Sequence, residues 1–279
     1  MSGDNTTFAE PAPVAVRSRR RVRGVARQLR RSVDLLWALT ESDLRFRYGR
    51  GLGRFARWLL EPFALVGIYL LLITFVVDRP GTAPGLSLAA AIVPFQLVIS
   101  TVSNAMESLE TRRPILQNMA FERNLMPISS ALTECASFIA SFAIVIVMMI
   151  AYQVEPTVAL LWLPLVVVVN LYLAVAAAYS AAILGLWLRE LKAFLLSFVR
   201  MLFFIGPGLV PLAQTSPHVQ SLLRLNPLTG MFEAYRAVFL YGHAPAVWQL
   251  LYPIGIASAI LAVFVPIYRA EQRQFAKVV

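Results

Sequence analysis

Long stretches without a charged side chain most constrain what this chain can fold into. The clearest are residues 80–106 and 156–188, each longer than the roughly 20 residues with which an α-helix crosses a bilayer. Of the 279 residues, 58% are apolar and only 14% are charged, whereas soluble chains carry about 25% charged residues. Too few polar side chains remain to form a water-soluble surface. The sequence therefore predicts an all-α integral membrane protein.

Stretches of this kind recur along the chain, and we predict six transmembrane helices in a transmembrane domain of residues 58–268. Three of the six contain one charge each, which is Glu61, Glu134 or Arg200. The predicted spans are residues 58–77, 86–106, 128–152, 160–188, 194–212 and 248–268.

The distribution of positive charge predicts the orientation of these helices. With the N-terminus in the cytoplasm, 21 of the 25 Lys and Arg residues lie in cytoplasmic segments, and only Arg79, Arg224 and Arg236 lie outside. Because Lys and Arg accumulate in cytoplasmic loops, we expect both termini to be cytoplasmic.

The segments that flank the spans differ in pattern. Residues 1–31 are polar and then rich in arginine, which is typical of a disordered cytoplasmic tail attracted to anionic headgroups. In residues 32–57, apolar and aromatic side chains alternate with arginines, which predicts an amphipathic helix in the membrane interface; a solvated basic linker is the alternative. Residues 269–279 form a second cytoplasmic tail.

Few residues offer catalytic or ligand-binding chemistry. The single cysteine, Cys135, lies in an apolar run, and His218 and His243 have no partners at metal-ligand spacing. The glycines of residues 49–53 lack the lysine of a phosphate-binding loop. We therefore expect no metal, no bound cofactor and no ATPase site in this chain.

The cytoplasmic loop of residues 107–125 predicts a short helix. Pro114 suits the first helical position, and the pairs Ile115 with Met119 and Leu116 with Ala120 form an apolar ridge at i, i+4 spacing. This ridge either fits a groove of a partner protein or lies on the membrane surface.

The external segment of residues 213–247 is too long for a tight turn and too apolar for a solvated loop. Asn226 can cap a helix that begins at Pro227, and Glu233 and Arg236 can pair at i, i+3 spacing. The apolar side chains of this helix share the opposite face: Leu228, Phe232, Tyr235 and Phe239. Because it is too short to span, we predict a re-entrant helical hairpin between spans five and six, with its backbone ends covered by protein or a water-filled cavity.

Three motifs along residues 40–270 resemble those of a known family. They are Asp43–Tyr48, Phe121–Pro127, and Asn226–Thr229 leading to Glu233–Arg236. Their order, together with six spans and a short external helix, resembles the ABC-2 type permeases, the membrane subunits of O-antigen, capsule, teichoic-acid or galactan ABC exporters.

The resemblance implies a bacterial plasma-membrane permease that exports a lipid-linked polysaccharide. It implies a homodimer with two copies of a separate ABC ATPase, which would bind ATP and Mg, and a coupling helix in residues 107–125. The expected ATPase-contacting residues are Arg112, Arg113, Ile115, Leu116, Met119, Phe121 and Arg123.

A path for a glycan should combine aromatic faces with hydrogen-bonding groups. The candidates are Trp37, Phe46 and Tyr48 at the cytoplasmic entrance and Tyr69, Tyr172, Tyr179 and Trp187 within the spans. Each is equally explained as a packing residue or as part of an interfacial aromatic belt. Arginine binds phosphate bidentately, so Arg45, Arg47 and Arg50 are candidates for the lipid phosphate.

Two charged residues inside predicted spans, Glu134 and Arg200, are expected to face the protein interior and each other, since charge in a bilayer is costly. Snorkelling of Arg200 towards the interface is the alternative.

Two other functions remain open. An ABC-2 exporter of a small drug or simple lipid would share the architecture. A membrane-embedded glycosyl- or phosphotransferase needs converging carboxylates or histidines, whereas the acidic residues here are scattered.

Overall fold

The computed structural model describes residues 30–45, 60, 63–71, 75, 83–111 and 125–271. Within these ranges the chain forms nine α-helices and no strand, which confirms the all-α prediction. The helices are α1 over 30–45 and α2 over 63–71, then α3 Pro84–Thr111, α4 Leu125–Ala151, α5 Leu163–Trp187, α6 Lys192–Ile205, α7 Pro217–Leu223, α8 Pro227–Phe239 and α9 Val247–Glu271. Short 3-10 turns at Val158–Trp162, Arg189–Leu191 and Leu212–Gln214 join some of them.

Four segments are long and apolar enough to cross a membrane: Pro84–Ser108, Leu125–Ala151, Val158–Trp187 and Val247–Glu271. The chain is therefore a multi-pass membrane protein. Many large apolar side chains on these helices are exposed, such as Ile150 (73%) and Leu251 (60%), as expected for a surface covered by lipid.

The predicted spans of residues 58–77 and 194–212 are not among these four segments. The first is described only at residues 60, 63–71 and 75. In the second, α6 has 14 residues and ends at Ile205, so it is about 21 Å long, shorter than a hydrocarbon core of about 30 Å.

The early end of α6 follows from the sequence Gly206–Pro207–Gly208. A proline disfavours helical geometry in the residue before it, and Gly206 is extended, with φ −75° and ψ 175°. The apolar run continues beyond this point, which is why hydropathy alone placed the end of the span at residue 212.

Helix α3 forms the centre of the fold. It packs against α4, α5, α6 and α8, and 83% of its most apolar stretch is buried, compared with 11% for α9. Small side chains allow these close approaches: a Cβ added at Gly185 of α5 would lie 3.0 Å from Cα and Cβ of Met106 in α3. The packing of α5 on α3 therefore requires a residue without a side chain at position 185.

We expect the substitution Gly185→Val to destabilise the protein by about 1–3 kcal/mol, because added methyl groups overpack a tight helix contact. The measurement is thermal unfolding of the purified protein in detergent. Gly255→Val in α9 is the matched control, since a Cβ there meets nothing within 4 Å. Equal stability of the two variants would contradict the close α3–α5 contact.

Candidate functional site

The first residues of helix α8 are held by the capping arrangement that the sequence predicted. The Asn226 side chain accepts a hydrogen bond from the Leu228 backbone N–H at 3.0 Å, and Pro227 occupies the first turn. The Nδ2 of Asn226 also donates to the Leu202 carbonyl at 2.6 Å. One side chain therefore caps α8 and ties its start to the end of α6.

Helix α8 is buried on all its faces. Every residue from Leu228 to Phe239 is buried, and the helix packs against α3, α5 and α9. The sequence predicted an apolar face opposite a polar pair, but it did not predict that protein would cover the polar face as well. The reason is that Arg236 finds its partners on neighbouring segments instead of in water.

The guanidinium of Arg236, which is 0% exposed, donates hydrogen bonds to two other parts of the fold and to Glu233 of its own helix. Its Nε lies 2.9 Å from Oγ and 3.3 Å from the carbonyl oxygen of Ser87. Its Nη1 lies 2.5 Å from the Pro207 carbonyl and 2.8 Å from Oε1 of Glu233, and its Nη2 lies 3.0 Å from the Gly208 carbonyl. The predicted pair of Glu233 and Arg236 is therefore confirmed.

These contacts join α8 to the first turn of α3 and to the segment that follows α6. Oε1 of Glu233 also accepts from the Leu212 backbone N–H at 3.0 Å, so the same ion pair binds both ends of the non-helical stretch 206–211. A buried charge is tolerated only when it is paired and hydrogen-bonded. We name this set, which consists of Ser87, Pro207, Gly208, Glu233 and Arg236, the arginine cluster.

Aromatic rings also pack against one another on α8 and α4. Tyr235, which is 0% exposed, lies 6.3 Å from Phe138 and 6.2 Å from Phe239 between ring centroids. Just beyond the helix, burial and then the Glu233 carboxylate raise the pKa of the Tyr241 phenol, while Arg236 acts against them. The Tyr241 hydroxyl therefore stays neutral at physiological pH.

The aromatic residues predicted within the spans make contacts in different parts of the fold. Tyr172 of α5 shares a hydrogen bond of 3.0 Å with Oγ of Ser258 in α9. Tyr179 packs edge-on against Tyr268 of α9 at 5.5 Å, and Trp187 is half exposed at the end of α5. These contacts join α5 to α9.

Tyr69 lies elsewhere, in a cavity of about 330 Å³ between α2, α3 and α6. Arg200 also lines this cavity and is exposed. Glu134 is buried on α4, and its described hydrogen-bond donor is Asn104 of α3. The structure therefore does not pair the two charges that the sequence placed facing each other.

The cavity also contains three polar side chains that sequence reasoning missed, Gln96, Ser100 and Ser103 of α3. Their spacing of four and three residues inside an apolar run was a visible signal, since such residues share one helix face. No group of His, Cys, Asp and Glu suitable for a metal ion occurs among the described residues.

Two residues of the predicted cytoplasmic entrance lie on α1. Trp37 is 70% exposed, and Arg45 forms an ion pair with Glu41. The other predicted entrance and phosphate residues, Phe46, Tyr48, Arg47 and Arg50, lie outside the described residues. The same holds for the whole predicted coupling set: Arg112, Arg113, Ile115, Leu116, Met119, Phe121 and Arg123.

Comparison with known proteins agrees with the resemblance drawn from the motifs. The chain is 24% identical over 255 residues to the O-antigen export system permease protein RfbA of Myxococcus xanthus. This aligned region covers 91% of this chain and 98% of the relative. Two proteins of the same name from Klebsiella pneumoniae are each 22% identical, covering 75% and 88% of this chain and 81% and 95% of the relatives. No protein-family model matches the chain. The resemblance to ABC-2 type permeases of polysaccharide exporters is therefore confirmed.

We expect that Glu233→Gln or Arg236→Met alone destabilises the protein by about 3–5 kcal/mol, because each leaves its partner as an uncompensated buried group. The variant with both substitutions should be less destabilised than the sum of the two. Thermal unfolding of the four proteins in detergent gives this coupling.

Arg224→Met is the matched control, because Arg224 is exposed and its guanidinium carbon lies over the Trp248 ring at 5.3 Å. Its effect should stay near or below about 1 kcal/mol. Strictly additive effects of Glu233→Gln and Arg236→Met would show that the pair does not act as a unit.

Proposed function

We propose that this chain is the permease subunit of an ATP-driven exporter that moves a lipid-linked polysaccharide of the O-antigen kind out of the cytoplasm. The observation that carries this proposal is the similarity to O-antigen export permeases over 91% of the chain and 98% of the relative. The four span-capable helices support it, because they supply the membrane domain that such a subunit needs.

The chain acts in this proposal as a transport subunit, and ATP and Mg are bound by a separate ABC ATPase. Two copies of each subunit form the complex, which lies in the bacterial plasma membrane. The ATPase contacts the loop of residues 107–125 and thereby moves the membrane helices. The apolar ridge of that loop supports this role, because ridges of this spacing fit grooves on partner proteins.

We also propose six spans with both termini in the cytoplasm, the fifth formed by α6 together with the non-helical stretch 206–211 that follows it, and a re-entrant hairpin formed by α7 and α8. The 7 residues of α7 and the 13 of α8 are about 11 and 20 Å long, too short to cross a bilayer. Burial of α8 within protein supports the hairpin, since non-helical backbone at membrane depth needs such cover. The arginine cluster supplies it for the stretch between α6 and α7.

The lipid-linked glycan enters from the cytoplasmic interface in this mechanism. Its phosphates first meet the arginines near Arg45, because guanidinium groups bind phosphate bidentately. Aromatic side chains then provide faces for the sugar rings, while their hydroxyl and indole groups provide hydrogen bonds. ATP-driven movement of the coupling loops opens the path between the two permease copies.

Depletion of the permease in its own cell tests the function. We expect polysaccharide to disappear from the cell surface while lipid-linked glycan accumulates inside, because synthesis continues after transport stops. Surface labelling with a glycan-binding lectin and extraction of the lipid-linked pool measure the two quantities.

Re-expression of the wild-type chain should reverse both changes, and re-expression with an ATPase partner that cannot hydrolyse ATP should reverse neither. Unchanged surface polysaccharide on depletion, with no internal accumulation, would refute the proposed cargo.

A further inference from the structure

The cavity between α2, α3 and α6 is lined in part by polar side chains. Arg200 of α6 and the α3 residues Gln96, Ser100 and Ser103 line it. Arg200 is exposed and the three α3 side chains are half-buried. We call these four residues the polar lining. Polar side chains inside the membrane are costly and mark binding sites and transport paths.

The polar lining is rich in hydrogen-bond donors. The guanidinium supplies five N–H donors, the amide of Gln96 two, and each serine hydroxyl one. Within the lining, the Gln96 amide donates to Oγ of Ser100 over 3.4 Å. Among the described residues, no Asp or Glu lines the cavity. The cavity therefore carries a positive charge without a carboxylate in its own walls.

The surroundings of Arg200 differ from those of Arg236, the other arginine of the membrane domain described above. Arg236 has its Glu233 carboxylate at 2.8 Å, and the described hydrogen-bond donor to the buried Glu134 carboxylate is Asn104. A guanidinium in a low-dielectric site needs a counter-charge, and a planar fork of donors suits a phosphate.

Another part of the cavity wall is aromatic. The Phe203 ring lies 4.8 Å from Phe95, 5.4 Å from Phe204 and 6.1 Å from Tyr69 between centroids. This wall offers apolar surface immediately beside the donors. The cavity therefore suits a molecule with an anionic group joined to an apolar chain.

We propose that this cavity binds the phosphate or diphosphate ester group of a lipid, with Arg200 and the three α3 side chains donating to the ester oxygens and the aromatic wall contacting the lipid chain. The inference rests on the proposed function, which supplies a lipid-linked cargo. Arg200 is eight residues beyond Lys192, or about 12 Å along α6.

The site is also joined to helix α8. Phe203, which is 2% exposed, packs edge-on against Phe232 of α8 at 5.6 Å. A lipid bound against the aromatic wall therefore contacts a ring that is itself packed on the re-entrant helix.

The test uses the permease, with its ATPase partner, in nanodiscs of uncharged phosphatidylcholine. The probes are undecaprenyl diphosphate, the phosphate-free alcohol undecaprenol, and phosphatidylglycerol, with binding measured by native mass spectrometry. Removal of charge-assisted hydrogen bonds costs about 1.5–3 kcal/mol, so Arg200→Gln should weaken binding of the diphosphate about 10- to 100-fold. Binding of undecaprenol should not change.

Controls separate the site from general effects of charge. Arg224→Gln, which removes an exposed arginine outside the cavity, should bind the diphosphate as wild type does. Arg200→Lys should fall between wild type and Arg200→Gln, because lysine keeps the charge and loses the bidentate geometry. If Arg200→Gln does not fold, the double substitution of Ser100 and Ser103 by alanine serves in its place, with weaker binding of the diphosphate expected.

The two anionic probes distinguish the source of the phosphate. Dependence on Arg200 for the diphosphate alone identifies a substrate site, and the same dependence for phosphatidylglycerol identifies a site for bilayer lipid; both support the proposal. Binding of both probes unchanged by Arg200→Gln would overturn it and leave Arg200 as a snorkelling residue. The binding readout is independent of glycan export, so depletion that leaves surface polysaccharide intact would refute the cargo while the phosphate site stands.

Discussion

The hydrogen bonds of the Arg236 guanidinium are the interaction on which the rest of the described structure depends. Five donor contacts from one side chain reach the start of α3, the stretch after α6 and the Glu233 carboxylate. Because the group is 0% exposed, every donor that lost its partner would be left unsatisfied in an apolar surrounding, at about 1–3 kcal/mol or more for a charged group. The arrangement of α8 against α3 and α6 is therefore fixed by a polar interaction inside a membrane domain with a large apolar core.

This constraint organises the surroundings of α8 and of the cavity. Helix α6 stops at Gly206, and the carbonyls of Pro207 and Gly208 that a continuing helix would have used are turned to Arg236. Asn226 joins the same region to the start of α8 through Leu202. Phe203, in the last turn of α6, lines the cavity and also packs against α8. The proposed phosphate site and the proposed re-entrant hairpin are thus neighbouring parts of one packed unit.

Local sequence patterns predicted much of this region. The remaining interactions join residues that are distant in sequence, and no sequence pattern predicts them. The Asn226 cap and the pair of Glu233 and Arg236 follow from spacings of two and three residues, and both were predictable. The bond from Arg236 to Ser87 joins residues 149 apart, and backbone carbonyls such as that of Pro207 carry no signature in a sequence. Hydropathy also placed the end of α6 at residue 212, because an apolar run does not show where a glycine and a proline interrupt the helix. Gln96, Ser100 and Ser103 were visible as a polar face on α3, but their meeting with Arg200 depends on tertiary packing.

The most direct measurement of the proposed hairpin is thiol labelling on both sides of α8. Ser216 precedes the hairpin of α7 and α8, Ala244 follows it, and both are exposed, so each can be replaced by cysteine in a chain that carries Cys135→Ser. A membrane-impermeant maleimide added to intact spheroplasts should label both positions, because a hairpin held by the arginine cluster enters and leaves the membrane on the same outer side. Labelling of one position from outside and of the other only after the membrane is opened would show that α8 crosses the bilayer, and would contradict the account.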